Sequence, residues 1–287
     1  MAGYARVRET PALVGAVPPP RLLPKGGGTK QPSPQPSPEG RGGKSKKVPA
    51  MTTIHAQEGK TKILTPQADG TLLVEFKSHA TAFNGVKKAF IEGKGELNAR
   101  ISALLFRYLH TQGIDSCFIG NASRADTLIY QPLTMLPVEI IVRNVAYGSF
   151  CKRFPFVEAG TVFKSPLVEF CLKDDALGDP PLPDDALVVL DYVPAPYRVQ
   201  DLKTLALAVN TAFVALFSAR SITCADFKLE LGIDAEGVLR LGDELSPDNF
   251  RLRDSESGTI LDKDVFRLDC GDLKSVYSEV LRRLEEV

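Results

Sequence analysis

Nine residues, Cys224 to Gly232, alternate between apolar and polar or charged side chains, and this alternation constrains the fold more than any other segment. Because successive side chains of a β-strand point to opposite faces, Asp226, Lys228 and Glu230 share one face. The apolar residues between them share the other face and are expected to pack on a core. The segment therefore predicts a strand with one buried face and one face that carries acids and a base.

A turn at residues 234–237 and a second predicted strand at residues 238–245 follow, and the second strand carries Asp243. If the hairpin loop has an even number of residues, Asp243 lies on the same face as Glu230, and a two-residue loop at Glu236 and Gly237 places the two acids directly opposite one another. Carboxylates about 5 Å apart repel each other unless a cation lies between them. Oxygen ligands of this kind suit magnesium, which also recruits nucleotide phosphates. The alternative is an exposed hairpin face that merely carries charges.

Three further groups of residues are suited to bind anions. A mostly apolar strand at residues 138–145 delivers Arg143, and the turn after it offers the Ser149 hydroxyl, a combination that suits a phosphate monoester. The Ser-Pro-Asp turn that ends at Asp248 is followed by Arg251, so the turn presents both side chains, which could bind a polar ligand together. Near residue 60, a glycine turn precedes two lysines, without the spacing of a Walker motif.

Composition narrows the class of protein. The chain has 287 residues, of which 44% are hydrophobic, enough for one large domain or two lobes around a cleft. Residues 1–50 contain nine basic and two acidic side chains, so the remaining residues contain 26 basic and 33 acidic ones, which argues against a surface for duplex nucleic acid. Five scattered cysteines and three distant histidines indicate neither a disulfide framework nor a zinc site.

Residues 1–50 are rich in proline and glycine, with ten and eight respectively, and have almost no periodic apolar residues. Such a segment cannot bury enough surface to offset its ordering entropy, so we expect a disordered basic extension. A tail that binds RNA or a membrane, or an organelle address, is the functional alternative. The segment lacks the apolar stretch of a secretory signal, and no run in the chain approaches a membrane span.

The rest of the chain predicts an α+β enzyme. Predicted strands fall at residues 71–76, 128–133, 138–145, 223–231 and 238–245, and apolar residues recur at helical spacing in 97–109, 202–216 and 273–284. Asp272 is a candidate N-cap for the last helix. The pattern favours a strand-rich N-terminal lobe at residues 51–133 and a mixed α/β lobe at residues 134–287.

Several strings, in this order, resemble the SAICAR synthetase family: EGKTK, TAFNG with GKGELNA, LPVEIIVRNVAYGSF, LVEFCLKDDALGDP, DFKLELG, GDELSPDNFRL and LDKDVFR. They extend from Glu58 to the C-terminal region. The resemblance implies a two-lobed fold with ATP in the cleft and an ATP-dependent ligation of purine (IMP) biosynthesis. L-aspartate condenses with carboxyaminoimidazole ribonucleotide to give SAICAR, ADP and phosphate, through an acyl phosphate or with concerted loss of phosphate.

The resemblance also implies roles for individual residues. Lys60, Lys62 and Lys228 are expected at ATP, and Glu230 and Asp243 at Mg²⁺. Arg143, Ser149, Asp248 and Arg251 are expected to bind the ribonucleotide. Lys173, Lys228 and Asp248 are the residues expected to take part in catalysis.

Two rival functions remain at this stage. A small-molecule kinase of similar architecture would use Asp226 or Asp248 as a base. A protein that binds RNA through residues 1–50 is disfavoured by the acidic remainder of the chain. The ligase is expected to be cytoplasmic, to bind small molecules rather than nucleic acid or membrane, and to be compatible with a homo-oligomer.

Deleting residues 1–50 is expected to leave the turnover number unchanged, because low-complexity extensions rarely carry the chemistry. Steady-state kinetics of the full and shortened chains check this. A large loss of activity in the shortened chain would reject the interpretation of the segment as a solvated extension.

Overall fold

The computed structural model describes residues 56–82 and 85–286. The predicted extension, residues 1–50, lies outside them. The strands are β1 (Gln57–Glu58), β2 (Lys62–Pro66), β3 (Leu72–Phe76), β4 (His79–Ala82), β5 (Lys87–Phe90), β6 (Phe118–Asn121), β7 (Thr127–Tyr130), β8 (Thr134–Val145), β9 (Val162–Leu172), β10 (Pro181–Leu182), β11 (Ile222–Ile233), β12 (Leu239–Gly242) and β13 (Phe250–Asp254). The helices are α1 (Lys94–Thr111), α2 (Ser149–Arg153), α3 (Asp184–Val189), α4 (Val199–Ser218), α5 (Asp264–Arg267) and α6 (Leu273–Glu285).

The first sheet is antiparallel, with the strand order β1-β2-β3-β7-β6. Its register pairs Leu64 with Val74 and Leu72 with Tyr130, so these side chains share one face. α1 packs on this face, where the rings of Phe106 and Tyr130 meet edge to face at 5.8 Å. The alternation of side chains along β2 puts Lys62 on the same face.

The second sheet has the order β10-β9-β8-β11-β12, and β13 also pairs with β11. One face of β11 is apolar and buried, as the alternation predicts, and it packs against α4. The aromatic core here consists of Phe213 and Phe217 from α4 with Phe227 and Phe250 from the sheet, whose ring centroids lie 5.3–5.8 Å apart. The opposite face of β11 remains polar and lines a cleft.

Contrary to the expectation that no run in the chain approaches a membrane span, α4 is long and apolar enough to cross a membrane by length and composition alone. One such helix is weak evidence for a membrane span. Its apolar side chains, among them Leu202, Val209 and Phe213, lie buried against the second sheet. The same composition is typical of a core helix, which is the role that α4 has in this fold.

The hairpin after β11 differs from the prediction. Ile233 pairs with Leu239 and Glu230 with Gly242, which leaves a loop of five residues, 234–238, rather than two. Asp243 therefore lies one residue beyond β12 instead of opposite Glu230. Continued strand alternation would turn its side chain away from the cleft. Its left-handed backbone, with φ of 59°, breaks the alternation, and the side chain lines the cleft.

Two neighbouring strands explain why this loop reaches the cleft. β12 and β13 pair one after the other along the same edge of β11, and the segment from Asp243 to Asn249 connects them. The Lys228 N–H donates to the Asn249 carbonyl oxygen at 2.9 Å, which fixes the end of this segment beside the middle of β11.

The predicted α+β class is confirmed, with most predicted elements shifted by only a few residues. Asp272 caps α6 as predicted, since its side chain accepts from the Ser275 N–H at 2.8 Å. The described residues belong to one compact unit. The first large sheet lies before residue 134 and the second after it, but α6 packs on α1, so the C-terminal helix supports the N-terminal part.

Phe213→Ala is expected to lower the free energy of unfolding by about 3–5 kcal/mol, because the ring is fully buried among three other phenylalanines. Denaturant unfolding measures the change. Val214→Ala, on the more exposed side of the same helix, is the control and should cost much less. Equal losses in the two variants would contradict the assignment of the core face.

Candidate active site

A cleft of about 790 Å³ lies between the two large sheets, within the size range of small-molecule sites. All ten residues that the sequence predicts for the site line this cleft: Lys60, Lys62, Arg143, Ser149, Lys173, Lys228, Glu230, Asp243, Asp248 and Arg251. They come from both halves of the chain. The fold therefore brings the separate predicted groups together in one place.

The polar face of the second sheet carries two directly opposed glutamates. The register pairs Glu230 of β11 with Glu139 of β8, and Asp226 with Arg143 on the same face. Directly opposite side chains have Cβ atoms about 4.5–5.5 Å apart, so the two glutamates require cations between them. Glu230 therefore has a carboxylate beside it that the sequence did not predict for the site, Glu139.

Two lysines neutralise these glutamates. The Lys228 ammonium lies 2.6 Å from Glu139 and 3.6 Å from Glu230, and Lys173 forms an ion pair with Glu230. Burial and the charge of Asp243 raise the pKa of Glu230. Burial alone would lower the pKa of Lys228, but the surrounding carboxylates, chiefly Glu139, raise it. Lys228 is therefore held as a cation.

Lys62 joins the first sheet to the loop after β12. Its ammonium lies 2.5 Å from Asp243 and 3.2 Å from Glu244, and Glu244 also accepts from the Thr61 hydroxyl at 3.0 Å. Burial favours the neutral forms of both ions of the Lys62–Asp243 pair. Their mutual attraction prevails, so the pKa of Lys62 is raised and the pKa of Asp243 is lowered.

The predicted phosphate-binding residues form a second cationic group. The Arg143 side chain is almost fully buried and donates to the Ser149 hydroxyl at 3.0 Å and to Glu169 at 2.6 Å. Arg251 donates to Asp226 at 2.9 Å. Both guanidinium groups are fixed in place by carboxylates, which suits them to bind an anion in a defined position.

A glycine is required beside this group. Gly148, with φ of 57° and ψ of −124°, precedes Ser149, and a Cβ at this position would lie 2.3 Å from a guanidinium nitrogen of Arg251. The missing side chain therefore allows the turn and the arginine to approach each other.

Asp248 is more buried than expected of a residue predicted to contact the ribonucleotide. Its buried carboxylate accepts from Lys94 at 2.5 Å, Asn98 at 3.0 Å and Tyr277 at 2.7 Å, and the ammonium of Lys263 lies 3.5 Å away. Burial opposes ionisation, but Lys94 and Lys263 lower the pKa of Asp248. A contact between Asp248 and substrate would require exchange of one of these partners, and it stays a prediction.

The opposite end of the cleft is apolar. Leu64, Leu72, Val74, Leu133 and Met135 line it, which suits the flat face of a nucleobase. Lys60 lies in the turn between β1 and β2 and forms an ion pair of 2.5 Å with Asp175.

The sequence reasoning missed several residues of the cleft. Glu139 was recognisable in principle, because it lies at even spacing from Arg143 on a predicted strand. Glu169 was not, because it lies on β9, where no strand was predicted. Glu244, next to Asp243, and the buried Lys94 had no periodic signal, since their roles depend on contacts between residues distant in sequence. Among the residues that the structure describes, no three His, Cys, Asp or Glu side chains converge closely enough to hold a metal by themselves.

An α+β fold with a cleft that combines an apolar wall, acidic groups and two cationic clusters defines an enzyme that binds nucleotides. The SAICAR synthetase family model matches residues 55–284. The chain is 46% identical over 230 residues to the phosphoribosylaminoimidazole-succinocarboxamide synthase of Halalkalibacterium halodurans, covering 80% of this chain and 96% of the relative. It is also 46% identical over 234 residues to the enzyme of the same name from Thermococcus sibiricus, covering 82% and 99%.

The chain is also similar to solved structures of SAICAR synthetases. A SAICAR synthetase (Type-2) in complex with ADP superposes with a TM-score of 0.77 at 40% identity, covering 81% of this chain and 98% of that one. The synthase from Ehrlichia chaffeensis gives a TM-score of 0.76 at 36% identity, covering 80% and 98%. The chain belongs to the SAICAR synthetase family. The predicted function, ATP-dependent ligation in purine biosynthesis, is confirmed, and the small-molecule kinase is not favoured.

Gly148→Ala is expected to raise the KM for the ribonucleotide more than the KM for ATP, because the new methyl group displaces Arg251 and strains the backbone by about 1–3 kcal/mol. Steady-state kinetics with each substrate varied measure the two constants. Gly120→Ala is the control, since a Cβ there meets nothing within 4 Å. An unchanged KM for the ribonucleotide would contradict the assignment of this cluster.

Proposed function

We propose that Glu230 and Asp243 hold a magnesium ion that serves the ligation. Both carboxylates line the cleft and supply only oxygen ligands, and burial together with the charge of Asp243 raises the pKa of Glu230. Two carboxylates with water and nucleotide phosphates make a suitable ligand set for Mg²⁺. When bound, the ion would neutralise the charge that develops on the transferred phosphoryl group.

ATP occupies the apolar end of the cleft in this proposal. The base lies against the wall formed by Leu64 and Val74, and the phosphates extend towards Lys60, Lys62 and Lys228. The contacts of Lys62 support this arrangement, because they place its ammonium beside Asp243. The ADP in the related synthetase is consistent with a nucleotide site in this fold.

The carboxyaminoimidazole ribonucleotide occupies the other end. Its phosphate binds Arg143, Ser149 and Arg251, and Asp248 binds ribose or imidazole groups. Both arginines are already fixed by carboxylates, so little ordering is needed when the phosphate binds.

The reaction joins the imidazole carboxylate and the aspartate amine in an amide bond. An oxygen of the imidazole carboxylate attacks the γ-phosphorus and ADP leaves. The aspartate amine then attacks the activated carbonyl carbon, phosphate leaves, and the amine loses a proton. Lys228 and Lys173 contribute by stabilising negative charge on the phosphoryl and carboxylate oxygens.

The small-molecule substrates are the partners that we propose for this chain, in the cytoplasm, with no role for nucleic acid or membrane. The acidic balance of residues 51–287 supports this view. A homo-oligomer is compatible with it. The boundary of the two lobes at residues 133 and 134 remains our proposal for the two sides of the cleft.

The direct test is a coupled assay for ADP. The purified protein should release ADP only when both L-aspartate and the carboxylated imidazole ribonucleotide are present. Formation of ADP without aspartate would contradict the ligation.

Asp243→Asn is expected to lower turnover by about 10²–10³-fold, because the amide removes one negative oxygen ligand from the proposed metal pair. Asparagine tolerates the left-handed backbone of this position, so the fold should persist. Asp191→Asn, at an exposed residue with a similar φ of 55°, is the control and should keep its activity. Near-normal turnover in Asp243→Asn would remove the metal assignment.

A further inference from the structure

Lys173 occupies an unusual position among the lysines of the cleft. It follows β9 directly, and its backbone N–H donates to the Pro137 carbonyl oxygen at 3.0 Å, so its backbone is anchored. Its side chain is 44% exposed, yet it forms an ion pair with Glu230, whose side chain is 3% exposed. A half-exposed, unbranched side chain on an anchored backbone can change its partner at low cost.

The other two lysines each contact a carboxylate outside the proposed metal pair. Lys62 contacts Glu244 as well as Asp243, and Lys228 contacts Glu139 more closely than Glu230. When a metal ion takes Asp243 and Glu230, both ammonium groups therefore keep a counter-ion. Their second carboxylates hold them in place.

Lys173 has no such second carboxylate. Within residues 56–82 and 85–286, Glu230 is its only ion-pair partner. An ion that binds Glu230 would leave the Lys173 ammonium without a counter-charge, and a phosphoryl oxygen of the bound nucleotide could then supply it.

We propose that Lys173 is an internal cation that holds Glu230, competes with the divalent metal for this carboxylate, and transfers to a phosphoryl oxygen when the metal binds. The inference rests on the proposed metal pair of Glu230 and Asp243. It gives Lys173 a role in the order of events, because metal binding makes its ammonium available to the nucleotide. It also predicts that the enzyme binds metal weakly when no nucleotide is present.

The test is binding of Mn²⁺ without nucleotide, measured by electron paramagnetic resonance of the free ion. Lys173→Met removes the competing cation and is expected to tighten Mn²⁺ binding about fivefold. Lys173→Arg keeps a cation at the same place and should bind Mn²⁺ like the wild type. Lys60→Met removes a lysine of the same cleft whose ion pair is with Asp175, and it should change Mn²⁺ binding much less.

A second measurement uses the wild-type protein and needs no variant. Reductive methylation followed by mass spectrometry reports how readily each lysine reacts. Mn²⁺ should accelerate the modification of Lys173, because the ion releases it from Glu230. An unchanged rate at Lys173 would overturn the inference, whether or not the methionine variant folds.

The outcomes separate this inference from the function on which it rests. If wild type and Lys173→Met bind Mn²⁺ equally, or if Lys60→Met tightens binding as much, competition by Lys173 is wrong while the metal pair stands. If neither wild type nor Lys173→Met binds Mn²⁺ with or without ADP, the metal pair itself is wrong. Tighter binding in Lys173→Met alone supports both.

Discussion

The attraction between lysines and carboxylates on one sheet face is the interaction on which the cleft depends. Glu230 and Glu139 lie directly opposite each other on neighbouring strands, where like charges repel. Lys228 lies within reach of both, and Lys173 neutralises the remaining charge of Glu230. The lysines and glutamates therefore stabilise this face as a group, since the buried carboxylates would repel each other without the cations.

The fold produces this face because a single strand carries apolar side chains on one face and polar side chains on the other. In β11, the apolar side chains pack on the phenylalanines of α4, while the alternate side chains carry the chemistry. The core therefore holds the polar face rigid without contributing to it. The left-handed backbone of Asp243 turns its carboxylate into the cleft, and the missing side chain of Gly148 allows the turn after β8 to approach Arg251.

The same arrangement explains how one cleft accommodates two phosphorylated ligands. Lys62 and part of the apolar wall come from the first sheet, and Arg143 and Arg251 flank Asp226 of β11 in the second sheet. Asp226 and Glu169 hold the arginines, as Asp243 and Glu244 hold Lys62. Each of these cations thus contacts a carboxylate, which fixes its position in the cleft.

The alternation of β11 was predictable from sequence because its period follows directly from strand geometry. The ten residues that the sequence predicts for the site are all among those that line the cleft. The partner of Glu230 was not predictable from the hairpin. A loop of five residues changed the register, so Gly242 rather than Asp243 lies opposite Glu230 on β12. Glu139 lies opposite Glu230 on the other neighbouring strand, β8. The side chain of Asp243 reaches the cleft because its own backbone is left-handed, a feature that no pattern of hydrophobicity encodes. The partners of Asp248 depend on long-range contacts with α1 and α6, which periodicity cannot supply.

The most direct measurement of the central claim is a crystal structure of this protein with ADP and Mn²⁺, in which anomalous scattering locates the ion. We expect an anomalous peak within ligand distance of both Glu230 and Asp243, with Lys173 no longer paired with Glu230. A peak elsewhere in the cleft, with Glu230 still bound to Lys173 and Asp243 to Lys62, would contradict it.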